Sequence, residues 1–191
     1  MINFSTQNKE SDEVYLSNEK SISISNSDID SLIKLSISTK RQRVRYCIHS
    51  TPSESVHEMF IVHSKGAYVR PHKHLNKPES MIIIKGEADY VVFDGEGNIK
   101  EKTPMGDYQS GKPFYQSTRV DEFHSLVIHS ERLVFLEVTQ GPFNKDDTVF
   151  AEWSPRENEG KKVSPILPLR PKMDEIQGHH NRRDYSGSPF D

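Results

Sequence analysis

The chain has 191 residues, 33% of them hydrophobic, and a formal net charge of −3. That length suits one domain with a proper core plus tails, and the balance lacks the basic excess of a nucleic-acid or membrane-surface binder. Cys47 is the single cysteine, so no disulfide closes within the chain; with no long apolar run and no signal-like start, a cytoplasmic protein is the expectation.

Residues 1–40 contain no Gly and no Pro and are rich in serine. Within them Ile29, Leu32, Ile33 and Leu35 fall near helical spacing, and Ser27 or Asp28 is placed to cap the start. The spacing predicts one short helix over 27–36, packed on the main domain. For residues 1–20 a mobile serine-rich arm is the alternative.

The middle of the chain holds nearly all the aromatic and β-branched residues. Short apolar runs alternate with turn signals and predict strands over 44–48, 58–63, 68–69, 81–85, 88–93, 99–102, 114–116, 123–128 and 133–139. Asp94-Gly95-Glu96-Gly97-Asn98 is a hairpin turn, and His129-Ser130-Glu131 is a second tight connection. Many short strands at this spacing indicate an all-β sandwich or barrel. From about residue 154 the composition changes again, with five prolines and one small aliphatic group, Ile166, Leu167 and Leu169. The expected organisation is an N-terminal arm with a short helix over 1–40, a barrel over 41–157, and an extended or disordered tail over 158–191. The adjacent His179 and His180 lie in that tail and are assigned no role.

Residues 66–86 carry the chemistry. His72 and His74 are two apart, so on a strand both imidazoles face one side with Lys73 opposite. Two such imidazoles can share one metal ion, and after a short loop Glu79 can return a carboxylate oxygen to it. Gly66 and Gly86 bracket the unit at turn positions.

Gly66, His72, His74, Glu79 and Gly86 match, at every fixed position, the first motif of the cupin family, which the chain therefore resembles. The resemblance implies a double-stranded β-helix, a jelly-roll-like small barrel, and a third histidine from a second motif. His124 holds that place, although Arg119 and Asp121 stand where the family usually has Pro and Gly, and Ile128 where it often has Asn. Three His and one Glu suit Fe, Mn, Ni, Zn or Cu as a divalent ion and leave positions for water or a chelating substrate.

A closer resemblance, over 43–157, is to the WbuC-type cupin-fold metalloproteins. It rests on Arg43-Val44-Arg45-Tyr46-Cys47-Ile48-His49, His57-Glu58-Met59-Phe60-Ile61, Phe93-Asp94-Gly95-Glu96-Gly97, Leu136-Glu137-Val138-Thr139-Gln140-Gly141-Pro142-Phe143 and Phe150-Ala151-Glu152-Trp153-Ser154-Pro155. That group is associated with bacterial surface polysaccharide, including O-antigen. The resemblance implies an enzyme acting on a sugar or nucleotide-sugar intermediate, with the metal as Lewis acid. A metal-independent isomerase or epimerase and a non-catalytic metabolite-binding cupin are the alternatives.

Parity supplies further candidates. Tyr68 and Arg70 share a face with His72 and His74 if the strand continues through Pro71, making them substrate-binding candidates. Arg45, Cys47 and His49 share a face of an early strand, with Arg45 a second cation for substrate and His49 a candidate proton carrier. Glu137 is a lone charge in an apolar run and the other candidate catalytic group. Cys47 reads as a small core residue, and His57 and His63 as structural. The expected partners are a small-molecule ligand and a second copy of the chain in a homodimer, the latter aided by the 1–40 arm, with no nucleic acid and no membrane.

Overall fold

A computed structural model describes residues 2–119 and 121–156. The tail expected over 158–191, including Ile166–Leu169 and the two tail histidines, lies outside the described residues. Twelve strands and one α-helix follow in chain order: β1 (Asn8–Ser11), β2 (Val14–Leu16), α1 (Asn26–Ser38), β3 (Arg43–Cys47), β4 (Val56–Ser64), β5 (His72–His74), β6 (Glu79–Lys85), β7 (Glu87–Phe93), β8 (Ile99–Gly106), β9 (Tyr115–Thr118), β10 (Phe123–Ile128), β11 (Arg132–Gln140) and β12 (Thr148–Phe150).

The strands form two sheets, ordered β1-β2-β3-β4-β11-β6-β9 and β12-β5-β10-β7-β8. From β4 onward the chain passes back and forth between them, with β4, β6, β9 and β11 in one and β5, β7, β8 and β10 in the other. That winding is a jelly roll, the all-β architecture shared by cupin folds. No described helix is long and apolar enough to cross a membrane.

Two apolar layers hold the sheets. Between them, Met59, Ile61, Met81, Ile83, Tyr90, Leu126, Leu133 and Phe135 form the inner core. On the outer face of the larger sheet, Val44, Tyr46, Val62 and Val134 pack with Ile29 and Leu32 of α1. Both faces of β4 and β11 are therefore covered, which explains why Met59–Val62 and Leu133–Phe135 are continuous apolar runs rather than alternating ones.

The helix starts earlier than its apolar spacing predicts. Ser25 is the cap residue, and its backbone N–H donates to the Asp28 carboxylate at 3.0 Å. Asp28 also accepts from the Ile2 backbone N–H and the Ser25 hydroxyl, and only 1% of it is exposed. Ser27 and Asp28 are thus inside the first turn, with Asp28 favourably placed near the positive helix end.

The first twenty residues contain two short strands: β2 pairs in parallel with β3, and β1 pairs with β2. The strand expected at 68–69 does not form. Its ladder begins only at His72, because Pro71 lacks an N–H and the chain before it runs outside the sheet. β12 was hidden by its short, polar-flanked sequence.

Candidate metal centre

Three elements bring the motif residues together. β10 lies beside β5 with His124 directly opposite His72, while β6 in the facing sheet opens on Glu79. The loop joining β5 to β6 turns back at Asn76, whose φ is 56°; Asn tolerates that left-handed conformation better than most residues. The Asn76 backbone N–H donates to the Asp121 carboxylate at 3.0 Å. Asp121, an atypical residue in the turn before His124, thus ties the two halves of the site.

One ligand atom from each of His72, His74, Glu79 and His124 lies within 4.8 Å of the other three. Ligands on one ion at about 2.1 Å are at most about 4.2 Å apart, so movements of about half an ångström close the set. His74 Nε2 is 2.8 Å from one Glu79 oxygen and His124 Nε2 is 3.8 Å from the other. The opposite ring nitrogens have fixed partners. His72 Nδ1 is 2.8 Å from the Arg70 carbonyl and His124 Nδ1 is 3.0 Å from the Glu122 carbonyl. A carbonyl only accepts, so both rings carry their proton on Nδ1 and aim the Nε2 lone pair at the centre. His74 Nδ1 meets the Thr148 hydroxyl at 3.2 Å. His124 Nε2 is buried without a hydrogen-bond partner, a cost that a bound cation removes. The residues therefore fit a divalent ion.

Electrostatics separate the four groups. Burial, reinforced by His124, pushes His72 down to about 4, and burial likewise lowers His124. Against the pull of burial, the hydrogen bond and charge of Glu79 raise His74. Burial would raise Glu79, but His74 and the other imidazoles hold it below the ordinary carboxylate range. The site is thus poised with a deprotonated carboxylate and at least two neutral imidazoles, the protonation states that metal binding requires.

The centre opens into a cavity of about 520 Å³ between the sheets. Glu137 of β11 lines it, and burial together with the Glu79 charge pushes its carboxyl up to about 7. Arg45 and Arg70 also line it. Arg70 is held against the 150–155 segment: it donates to the Ala151 carbonyl and the Ser154 hydroxyl, both at 3.0 Å, and lies 5.0 Å above the Phe150 ring.

Two candidates from parity stand elsewhere. The Tyr68 hydroxyl donates to the Pro155 carbonyl at 3.0 Å, and Tyr68 does not line the cavity, although Val69 and Arg70 of the same segment do. His49 lies past the end of β3, where alternation stops. It lines a separate pocket and stacks on His57 at 4.0 Å with an 11° interplanar angle. Cys47 is a buried core residue whose thiol is pushed up to about 11 by burial.

Two residues next to the centre carried no motif. Tyr90 stacks on His124 at 5.5 Å and shares a 2.6 Å hydrogen bond with Thr118. Its signal was parity: Ala88, Tyr90 and Val92 share the inner face of β7. Thr148 became visible only with β12.

Comparison with known proteins bears on fold more than on chemistry. A family model described as "Domain of unknown function (DUF6016)" matches residues 24–105. That span takes in His72, His74 and Glu79 and stops before His124. No curated protein matches. Solved structures with similarity include oxalate decarboxylase from Bacillus subtilis, at 22% identity and a TM-score of 0.44, covering 56% of this chain and 27% of that one. CapF bound to 3-isopropenyl-tropolone has 15% identity and a TM-score of 0.48, covering 60% and 33%. A structure from work on the DMSP lyases RdDddP and RnDddQII has 12% identity and a TM-score of 0.45, covering 58% and 53%. The chain thus spans only about a quarter to a half of the length of these proteins.

Proposed function

We propose that this protein is a metal-binding cupin that uses one divalent transition ion, held by His72, His74, Glu79 and His124, to act on a small polar molecule. The observation that carries this reading is the orientation of the imidazoles. His72 and His124 each spend Nδ1 on a backbone carbonyl, and His124 is left with a buried, unpartnered Nε2 facing Glu79. A bare, buried ring nitrogen facing a carboxylate and two further imidazoles is costly, and a shared cation satisfies it.

A divalent ion there supplies Lewis acidity toward a carbonyl or hydroxyl oxygen. The remaining work falls to the chain. Glu137 faces the cavity near Glu79 and is the side chain best placed to accept or return a proton at a bound substrate. Apolar side chains such as Met59, Met81 and Phe135 line the same space and limit water around it. Isomerisation or epimerisation of a sugar or nucleotide-sugar intermediate of bacterial surface polysaccharide is the reaction class we assign. Its support is the sequence resemblance over 43–157. A homodimer belongs to the same reading.

The test is elemental analysis of purified full-length protein beside His72→Ala and His124→Ala. We expect close to one divalent ion per wild-type chain and loss of most of it in both variants. Wild-type protein that stays metal-free after incubation with Mn, Fe, Ni, Zn and Cu salts refutes the assignment. The 2.8 Å His74–Glu79 pair favours a second reading, metal-independent acid–base chemistry, and activity that survives chelation selects it.

A further inference from the structure

The cavity has a second polar end. Besides the four candidate ligands and Glu137, Arg45 and His63 line it. In the larger sheet Arg45 of β3 is opposite Ile61 of β4, and Arg43 is opposite His63. Arg45 and His63 are therefore diagonal neighbours on one face, within reach of a shared partner. Neither has a hydrogen-bond partner among the described residues. The Arg45 guanidinium is exposed, with no hydrogen bond or ion pair to the described residues, and His63 Nδ1 is buried without a hydrogen bond. Nearby Glu13 is already engaged: its carboxylate pairs with Arg43 at 2.9 Å and with Arg41. Burial, reinforced by the flanking Arg43 and Arg45, pushes His63 down to about 3.

Between the two ends the walls are formed by Met59, Ile61, Met81, Leu126 and Phe135 together with the carboxyl group of Glu137. Strand spacing and rise separate the α-carbons of Arg45 and Glu79 by roughly 20 Å, three strands and four residues apart. Both side chains line the same cavity, so a ligand touching both spans roughly 10 Å or more. A compact ligand held only at the histidines leaves Arg45 and His63 unused.

We propose that the cavity takes an elongated organic anion, its chelating head at the His72/His74/Glu79/His124 centre and a second oxyanion, carboxylate or phosphoryl, at Arg45 and His63. Arginine is suited to this end because its planar fork binds either oxyanion through two parallel N–H donors. The head-group half rests on the metal reading above. The Arg45 half stands on its own geometry.

The experiment is calorimetric titration of metal-loaded full-length protein with linear dicarboxylates from malonate to suberate, with acetate as the single-headed control and 6-phosphonohexanoate as the phosphoryl arm. Affinity is expected to rise with length and level off when the span fits. Arg45→Gln is expected to weaken the best two-headed ligand at least tenfold, to change acetate less than twofold, and to leave metal content and melting temperature unchanged. Arg45→Lys is expected to restore part of the loss. Whichever two-headed ligand binds more tightly, the dicarboxylate or the phosphono acid, identifies the oxyanion. A length series with no trend, or an Arg45→Gln variant that binds the two-headed ligands like wild type, overturns the proposal. Metal content of the same wild-type sample separates the two ideas. Protein that takes up no metal refutes the centre, while the Arg45→Gln comparison on that protein still decides the anion end.

Discussion

Replacing His49 by Phe tests whether that residue is structural and gives a measurable pH signature. His49 is 8% exposed and stacked on His57; it does not itself line the main cavity, although His57 does. Burial and the neighbouring His57 push it down to about 4, with Glu54, Glu58 and Arg45 the other charged or polar influences nearby. In the unfolded chain the imidazole titrates near 6.5. The unfolded state therefore binds more protons than the folded state between about pH 6.5 and 4, and stability falls as pH drops through that window. At pH 7.5 the penalty is close to zero. At pH 5 the unfolded imidazole is almost fully protonated and the folded one almost not, which costs about 2 kcal/mol, at about 1.4 kcal/mol per unit. Phenylalanine keeps a ring against His57 and removes the titration. Urea unfolding at pH 7.5 and pH 5 reads the difference directly. The wild type is expected to lose about 2 kcal/mol more than His49→Phe over that interval, with metal content equal in both. Identical pH dependence in the two proteins refutes the buried, neutral assignment, and loss of metal in the variant refutes the separation from the centre.

Other outcomes follow from the same structure. Asp28→Ala removes a nearly buried carboxylate bonded to Ser25 and Ile2, and denaturant melts at pH 7 are expected to show a loss of about 2 kcal/mol. Hydrogen bonds from Ser25 and Ile2 overcome burial and hold the Asp28 carboxyl down to about 2, against 3.8 in its model compound. That contribution is present above about pH 4 and fades as pH falls toward 2. Gly86→Ala puts a β-carbon at φ 97° against the Ser130 hydroxyl and the Arg132 carbonyl, and a melt is expected to show a cost of about 3 kcal/mol. Tyr90→Phe keeps the ring over His124 but drops the bond to Thr118; a loss of about 1 kcal/mol with unchanged metal content is the expected pair of readings.

The chain shows clearly in its sequence what short-range rules govern and hides what pairing over distance creates. His72 and His74 share a face because alternation is a property of any strand, and Gly86 marks its turn because no other residue adopts φ 97° cheaply there. Tyr68 and His49 lie just outside a ladder, before His72 or after Cys47, and neither lines the main cavity. β1, β2 and β12 are three or four residues long and exist through their partners, so no local pattern announced them. The same asymmetry bears on function. The candidate ligand set is compressed into one motif and one distant histidine, whereas Arg45 and Glu137, visible in the sequence only through parity and a lone charge, share a cavity with His63 because β3, β4 and β11 align in register. The makeup of the cavity therefore depends on residues whose proximity belongs to the sheet and to no stretch of sequence, and the Arg45 titration addresses that part directly.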